Sequence, residues 1–367
     1  MNEHLRFPKI ILLGLIVTGV CAHAQDPNYT QWLNAPIYYN PAFTGVNIGL
    51  KARFSYREQW PNLPVDFRTM YFSADWGDRN FPGSGGLGII INSDNEGIGF
   101  IKNFSAGLVL SVRIPLTSYL ITQVGVKGSV MQKRLDWNDF VFSDQLNETY
   151  GNIYNSALPQ SDNEQRIFPD FAIGGLIQFI NTGGNITGTA GVAVDHILEP
   201  DESFLALSKS PLPRKYVGHL DLVISFGRTA SPTLTTNRGF GDPLKINPGI
   251  LYQNQNKKSS LQFGLNMLKY NIYLGGYIYT TNLNKGSTSL NIIAGYRYIF
   301  ADDMNIKFMY SYDVQLSGNL IGTGGAHEIS LILEFSRIRI FNKNRYEDCP
   351  SERQRDLRLA PLECSPF

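Results

Sequence analysis

Cysteine is scarce in this chain: 367 residues contain three, Cys21, Cys349 and Cys364. Cys21 closes an N-terminal apolar run, so the exported chain is expected to hold one disulfide at most, Cys349 with Cys364. Histidine is nearly as rare, five in all. His196, His219 and His327, the three beyond the N-terminal run, are far apart and no cysteine accompanies them, so no metal motif is present. An excess of one charge is missing too. Lys+Arg number 32 against Asp+Glu 31, which excludes the charge imbalance of a nucleic-acid-binding protein. The 43% hydrophobic content excludes a low-hydrophobicity disordered chain. Beyond the N-terminus there is no apolar stretch of 18 or more residues, and with it goes any transmembrane helix in the mature chain. What remains is either released or spans as a barrel.

The N-terminal run fits an export signal. Arg6 and Lys9 precede IILLGLIVTGV, and Ala22-His23-Ala24 stands before Gln25, the charged, apolar and small-residue regions of a secretory leader. Residues 1–24 are therefore expected to be removed. Ile10 to Val20 is too short to span roughly 30 Å of hydrocarbon. Val20 before Cys21 argues against lipidation, which needs a small residue there.

Glycine and aromatics are abundant: Gly 35, Tyr 19, Phe 22. They suit turns and ring-bearing strands. In IGLKARFSYREQW, Ile48, Leu50, Ala52, Phe54 and Tyr56 alternate with Gly49, Lys51, Arg53, Ser55 and Arg57, the period of a strand with one apolar and one polar face. The pattern recurs to the end of the chain, in Phe104–Ile114, Phe171–Phe179, Tyr216–Phe226, Leu290–Tyr298 and Ile329–Phe335 among others. About 14 such segments, mostly about 9 to 14 residues long, match tilted membrane-spanning strands. The opposite faces carry Arg113, Lys127, Asp170, Asp195, Asp221, Arg297, Lys307, Asp313 and Glu334, which need water. Short connections (Pro115 to Ser118, Asn181 to Gly184, around Lys269, Ala301 to Asp303) alternate with long ones (Lys133 to Arg166, Glu199 to Pro213, Gln315 to Ala326). That is the barrel pattern of short periplasmic turns and long outer loops. Arg228 to Asp242 departs from it, being long where a periplasmic turn is due.

The expected fold is an all-β, antiparallel, outer-membrane β-barrel of about 14 strands. Residues 1–24 are the signal, 25–46 a periplasmic or plugging segment, 47–341 the barrel and 342–367 a periplasmic tail. In 25–46, Tyr29, Trp32, Tyr38, Tyr39 and Phe43 need burial while Pro27, Pro36 and Pro41 exclude a central strand. A plug in or beneath the lumen is expected, a free tail being the alternative. Ile48, Leu50, Phe54 and Tyr56 should face lipid, and Lys51, Arg53 and Arg57 the lumen. At the seam between first and last strands, Arg57 should lie level with Glu328, and Arg53 or Lys51 level with Glu334.

Catalytic constellations are weak. Asp195-His196 and His327-Glu328 are neighbours that a strand points to opposite faces; His219 and Asp221 share a face, for which structural hydrogen bonding is the common explanation. GGLGIIINSDNEG fits neither the phosphate-loop nor the calcium-loop spacing. No catalytic residue, cofactor or metal ligand is assigned. The long loop Lys133 to Arg166 mixes acids with rings, among them Trp137, Asp139, Phe140, Phe142 and Asp144, a composition suited to a partner surface or to a solvated lid.

The opening QDPNYTQWLNAPIYYNPAFTG, with YREQWPNLPVDF, GGLGIIINSDNEGIGF, FVFSDQ, FPDFAIGGLIQF, VAVDHILEP, LPRKYVGHLDL and YSYDVQLSGNLIGTGGAHEISLILEF in order, resembles the PorP/SprF family of type IX secretion system outer-membrane proteins. The resemblance implies an outer-membrane barrel without catalysis, active in export or surface attachment of large adhesin-like proteins through their C-terminal sorting domains. It also implies periplasmic machine components as partners, besides lipid. The tail NKNRYEDCPSERQRDLRLAPLECSPF does not match the family pattern. A passive porin or hydrophobic-solute transporter is the alternative function for the same fold.

Overall fold

The computed structural model describes residues 26–78, 83, 85–97, 101–117, 119–135, 143–147, 151–152, 154, 165–181, 185–204, 209–226, 244–282, 286–301, 304–317 and 322–335. The strands are β1 (Gly49–Gln59), β2 (Phe67–Gly77), β3 (Gly86–Glu96), β4 (Ile101–Thr117) and β5 (Leu120–Leu135). A two-strand hairpin, β6 (Leu146–Asn147) and β7 (Gly151–Asn152), stands apart in the following connection. Then come β8 (Gln165–Ile180), β9 (Ile186–Asp195), β10 (Lys215–Phe226), β11 (Leu244–Gln255) and β12 (Lys258–Lys269). The last are β13 (Ile272–Thr281), β14 (Thr288–Ala301), β15 (Met304–Gln315) and β16 (Ala326–Phe335). Without the hairpin, 14 strands close into one antiparallel barrel in which β16 returns to β1.

Alternation builds the wall. Phe54, Leu108, Leu110, Phe171, Ile173 and Leu331 stand exposed on the outer face, an apolar belt that water would penalise and lipid accepts. Arg53, Arg57, Arg113, Asp170, Asp195, Lys307, Asp313 and Glu328 are buried on the inner face. Closure leaves no strand edge with unpaired backbone groups, which the hydrocarbon interior requires. Both barrel termini share one end with the tight turn at 270–271; in outer-membrane barrels this is the periplasmic end. Not every opposite turn is long, since residues 256–257 alone join β11 to β12. The connection 227–243 and residues 336–367 lie outside the described residues.

Residues 26–46 run inside the ring. Three short turns shape them: Trp32–Asn34, Pro36–Tyr39 and Pro41–Phe43. Pro36 and Pro41 each open a turn, where the missing N–H costs nothing. The Asn40 side chain accepts from Ala42 N–H at 2.9 Å and caps the last turn. Tyr29, Trp32, Ile37 and Tyr39 are at most 1% exposed and form the main apolar core with Tyr71, Leu251, Tyr277 and Ile293 of the wall. The core of this barrel is thus its own N-terminal segment.

Candidate functional site

The lumen, with the segment inside it, concentrates the molecule's buried polar chemistry. The outer half of the segment is held by charge. Asp26 lies 2.9 Å from His196 Nε2 and 3.2 Å from Lys215 Nζ, and His196 Nδ1 lies 3.1 Å from Asp170. His196 follows the end of β9 with φ 57°, which leaves the alternation and turns its ring into the lumen. Burial works against the imidazolium, but Asp26 and Asp170 on either side raise its pKa to about 10. Burial likewise works against the Asp26 carboxylate, yet His196 and Lys215 hold it well below the usual carboxylate range. Lys215 also sits 4.5 Å over the Tyr38 ring.

Deeper, the backbone N–H of Thr30 donates to Glu328 at 2.7 Å and its hydroxyl to Asp313 at 2.6 Å. Arg57 donates to the Thr30 hydroxyl and pairs with Asp313 (2.8 Å) and Glu328 (3.4 Å). Gln262 donates to the Thr30 carbonyl at 2.7 Å. The buried charges of β1, β15 and β16 therefore meet on one residue of the segment.

Residues 40–46 are held differently, by shape and by hydrogen bonds that go mostly to their backbone. The Thr44 carbonyl accepts from Ser111 and Gln123, each at 2.6 Å. Arg113 donates to the Val46 carbonyl at 3.1 Å, and Gly45 N–H donates to Asp75 at 2.9 Å. Asn40 donates to the Gly175 carbonyl at 3.1 Å and lies 3.0 Å from His219 Nε2. The facing wall is bare. A Cβ on Gly125 would stand 2.5 Å from the Ala42 nitrogen, one on Gly174 2.0 Å from Asn40 Oδ1, and one on Gly86 2.4 Å from the Gly45 Cα. Only glycine admits the segment so close.

Two cavities flank the segment, each large enough for several waters. The outer one, about 80 Å³, is bordered by Asp26, Pro27 and Tyr38 with Asp94, Asp170 and Lys215 of the wall. The inner one, about 130 Å³, is bordered by Thr30, Trp32, Pro36 and Phe43 with Asp221 and Tyr277.

Of the residues singled out from sequence, Arg57 lies opposite Glu328 and Lys51 opposite Glu334 in the β1–β16 register, with Lys51 and Glu334 2.6 Å apart. Arg53 lies opposite Ile332 instead and pairs with Asp75 of β2. Glu334 takes a second cation, Lys307, at 3.0 Å. His219 meets Asn40 and stacks 4.8 Å from Phe43. His327 lies outward beside Tyr310, 2.8 Å from its hydroxyl. Asp144 is exposed in a short turn. Trp137, Asp139, Phe140, Phe142, Cys349 and Cys364 lie outside the described residues. Sequence reasoning missed Asp26, Asp75, His196 and the wall glycines.

No curated protein matches the sequence. Similar solved structures include a Pseudomonas aeruginosa FadL homologue (10% identity, 83% of this chain and 94% of that one, TM-score 0.41). Others are the translocator domain of the autotransporter NalP from Neisseria meningitidis (12%, 79% and 88%, 0.36) and the outer membrane protein Omp33 of Acinetobacter baumannii (8%, 80% and 99%, 0.36). Scores of this size carry no argument about this chain. The family model for the type IX secretion system membrane protein PorP/SprF matches residues 22–333, which takes in the segment inside the lumen and nearly the whole closed barrel, and the chain therefore belongs to that family of membrane proteins, here an outer-membrane β-barrel.

Proposed function

We propose that this barrel serves the secretion and surface anchoring of large adhesin-like cargo bearing a C-terminal sorting domain, with periplasmic secretion-machine components bound at the end that carries both barrel termini. The family match over residues 22–333 is the observation that supports the reading. A second observation favours it over a passive porin. Residues 26–46 fill the lumen with buried rings and paired charges, whereas a porin needs an open, hydrated channel. The segment acts as a plug, and the reading involves no catalytic step, cofactor or metal.

On the outer side, the connection Lys133 to Arg166 supplies acids and rings to a cargo contact. The test is gentle solubilisation of native membranes, affinity capture of the tagged chain and mass spectrometry. Cargo and machine components recovered with wild type, and cargo alone lost on deleting most of that loop, is the expected result. A barrel that captures neither and conducts ions freely when purified would return the porin reading.

A further inference from the structure

We infer that residues 26–36 are the movable partition of the lumen and residues 40–46 its fixed seat, so that displacing the first stretch joins the two cavities into one passage. The inference stands apart from the identity of any cargo. Its first support is placement. Of the segment, Asp26, Pro27 and Tyr38 border the outer cavity, and Gln31, Trp32, Leu33, Asn34 and Pro36 with Phe43 and Val46 the inner one. Residues 26–36 border both. Residues 40–46 are seated against β2, β4, β5 and β8 and touch the inner cavity alone, through Phe43 and Val46.

The second support is the kind of contact. The seat is a steric fit: Pro41 and Ala42 lie where a Cβ on Gly125 would be, and Gly45 where one on Gly86 would be. Sliding such a fit strips close contact from every side at once. The partition reaches the wall through side chains: Tyr29 and Trp32 lie in the main apolar core, and at its edges Asp26 is held by His196 and Lys215, Asn28 by Gln253 at 2.9 Å and Tyr29 by Asn92 at 3.3 Å. The edge contacts are charged or polar groups that water or an incoming ligand can satisfy in turn. Ala35, between the first two turns, and Pro36, which opens the second, are the place for a hinge.

The experiment is single-channel recording of the full-length protein in planar bilayers in potassium chloride, in a background with Cys349 and Cys364 changed to serine. Heat-modifiable mobility on gels confirms folding of each variant. An Asn28→Cys/Gln253→Cys pair ties the partition to the wall, and a Thr44→Cys/Gln123→Cys pair ties the seat. Oxidation of the first pair is expected to abolish openings, with reductant restoring them, while oxidation of the second leaves them unchanged. Asp26→Asn is expected to raise the open fraction about tenfold, because it removes the charge that His196 and Lys215 hold. Equal conductance with the partition tied and untied would overturn the inference. So would silencing by the seat pair, which would make the whole segment the moving part, or an Asp26→Asn protein that opens no more than wild type.

Discussion

The two halves of the segment inside the lumen solve one problem in different ways. From Asp26 to Gln31 the chain is gripped by basic and acidic side chains, Lys215, His196, Arg57, Asp313 and Glu328. From Asn40 to Val46 it is fitted into a wall from which side chains have been removed at Gly86, Gly125 and Gly174. Charge gives orientation and can be exchanged for water or another ion; close packing gives position and can only be broken.

Substitutions can break this contrast. Arg57→Ala should have the largest effect, because it leaves Asp313 and Glu328 buried without their cation. Removing one partner of such a pair costs about 3–5 kcal/mol, read as a lowered urea midpoint of the purified barrel. An effect no greater than that of a lipid-facing control would mean that the ionic half does not depend on its charges. Gly125→Ala should come next, at roughly 1–3 kcal/mol for overpacking. Its distinguishing sign is protease cleavage within 40–46 while the barrel stays folded.

Between pH 7 and 10, rising pH should act on the outer half. His196 is raised to about 10 from an ordinary value near 6.5, so its contribution is complete below about pH 6.5 and fades as pH rises through about 10. Asp26 is lowered, so its contribution is complete above its ordinary range near 3.9 and is lost only in stronger acid. Protection of residues 26–31 from protease should therefore fall between pH 7 and 10 while that of 40–46 holds, and Asp26→Asn should flatten the profile. A parallel decline in both halves would erase the distinction. Lys51→Met at the seam should matter least, within about 1 kcal/mol in urea unfolding, since Glu334 keeps Lys307.

Much of the barrel was legible because a wall one residue thick, with oil outside and water inside, writes itself as alternation. The rings and prolines of residues 26–46 marked a segment that needs cover and cannot be a central strand. The seam opposition of Arg57 with Glu328 followed from counting register from the strand ends. The site was less readable. Asp26 and His196 are 170 residues apart, and His196 reaches the lumen only because the chain leaves strand geometry after Asp195. Arg53 turned to Asp75 on its other neighbour, a choice the period of two cannot make, since both neighbours offer acids. The wall glycines were hidden by their own abundance: in a chain with 35 of them, nothing in the letters separates a turn glycine from one that makes room for Pro41.

The reach of Thr30 has a consequence for assembly. Its partner Glu328 stands 298 residues away, and Asp26 meets Gln255 across 229. The segment that leaves the ribosome first among the barrel's parts therefore seats last, after β16 exists to receive it. Contacts this distant in sequence make folding slow. Until they form, Trp32, Tyr38 and Tyr39 have no cover, and an uncovered aromatic stretch is prone to aggregate. The crossing of the periplasm is the interval in which this chain depends on being held.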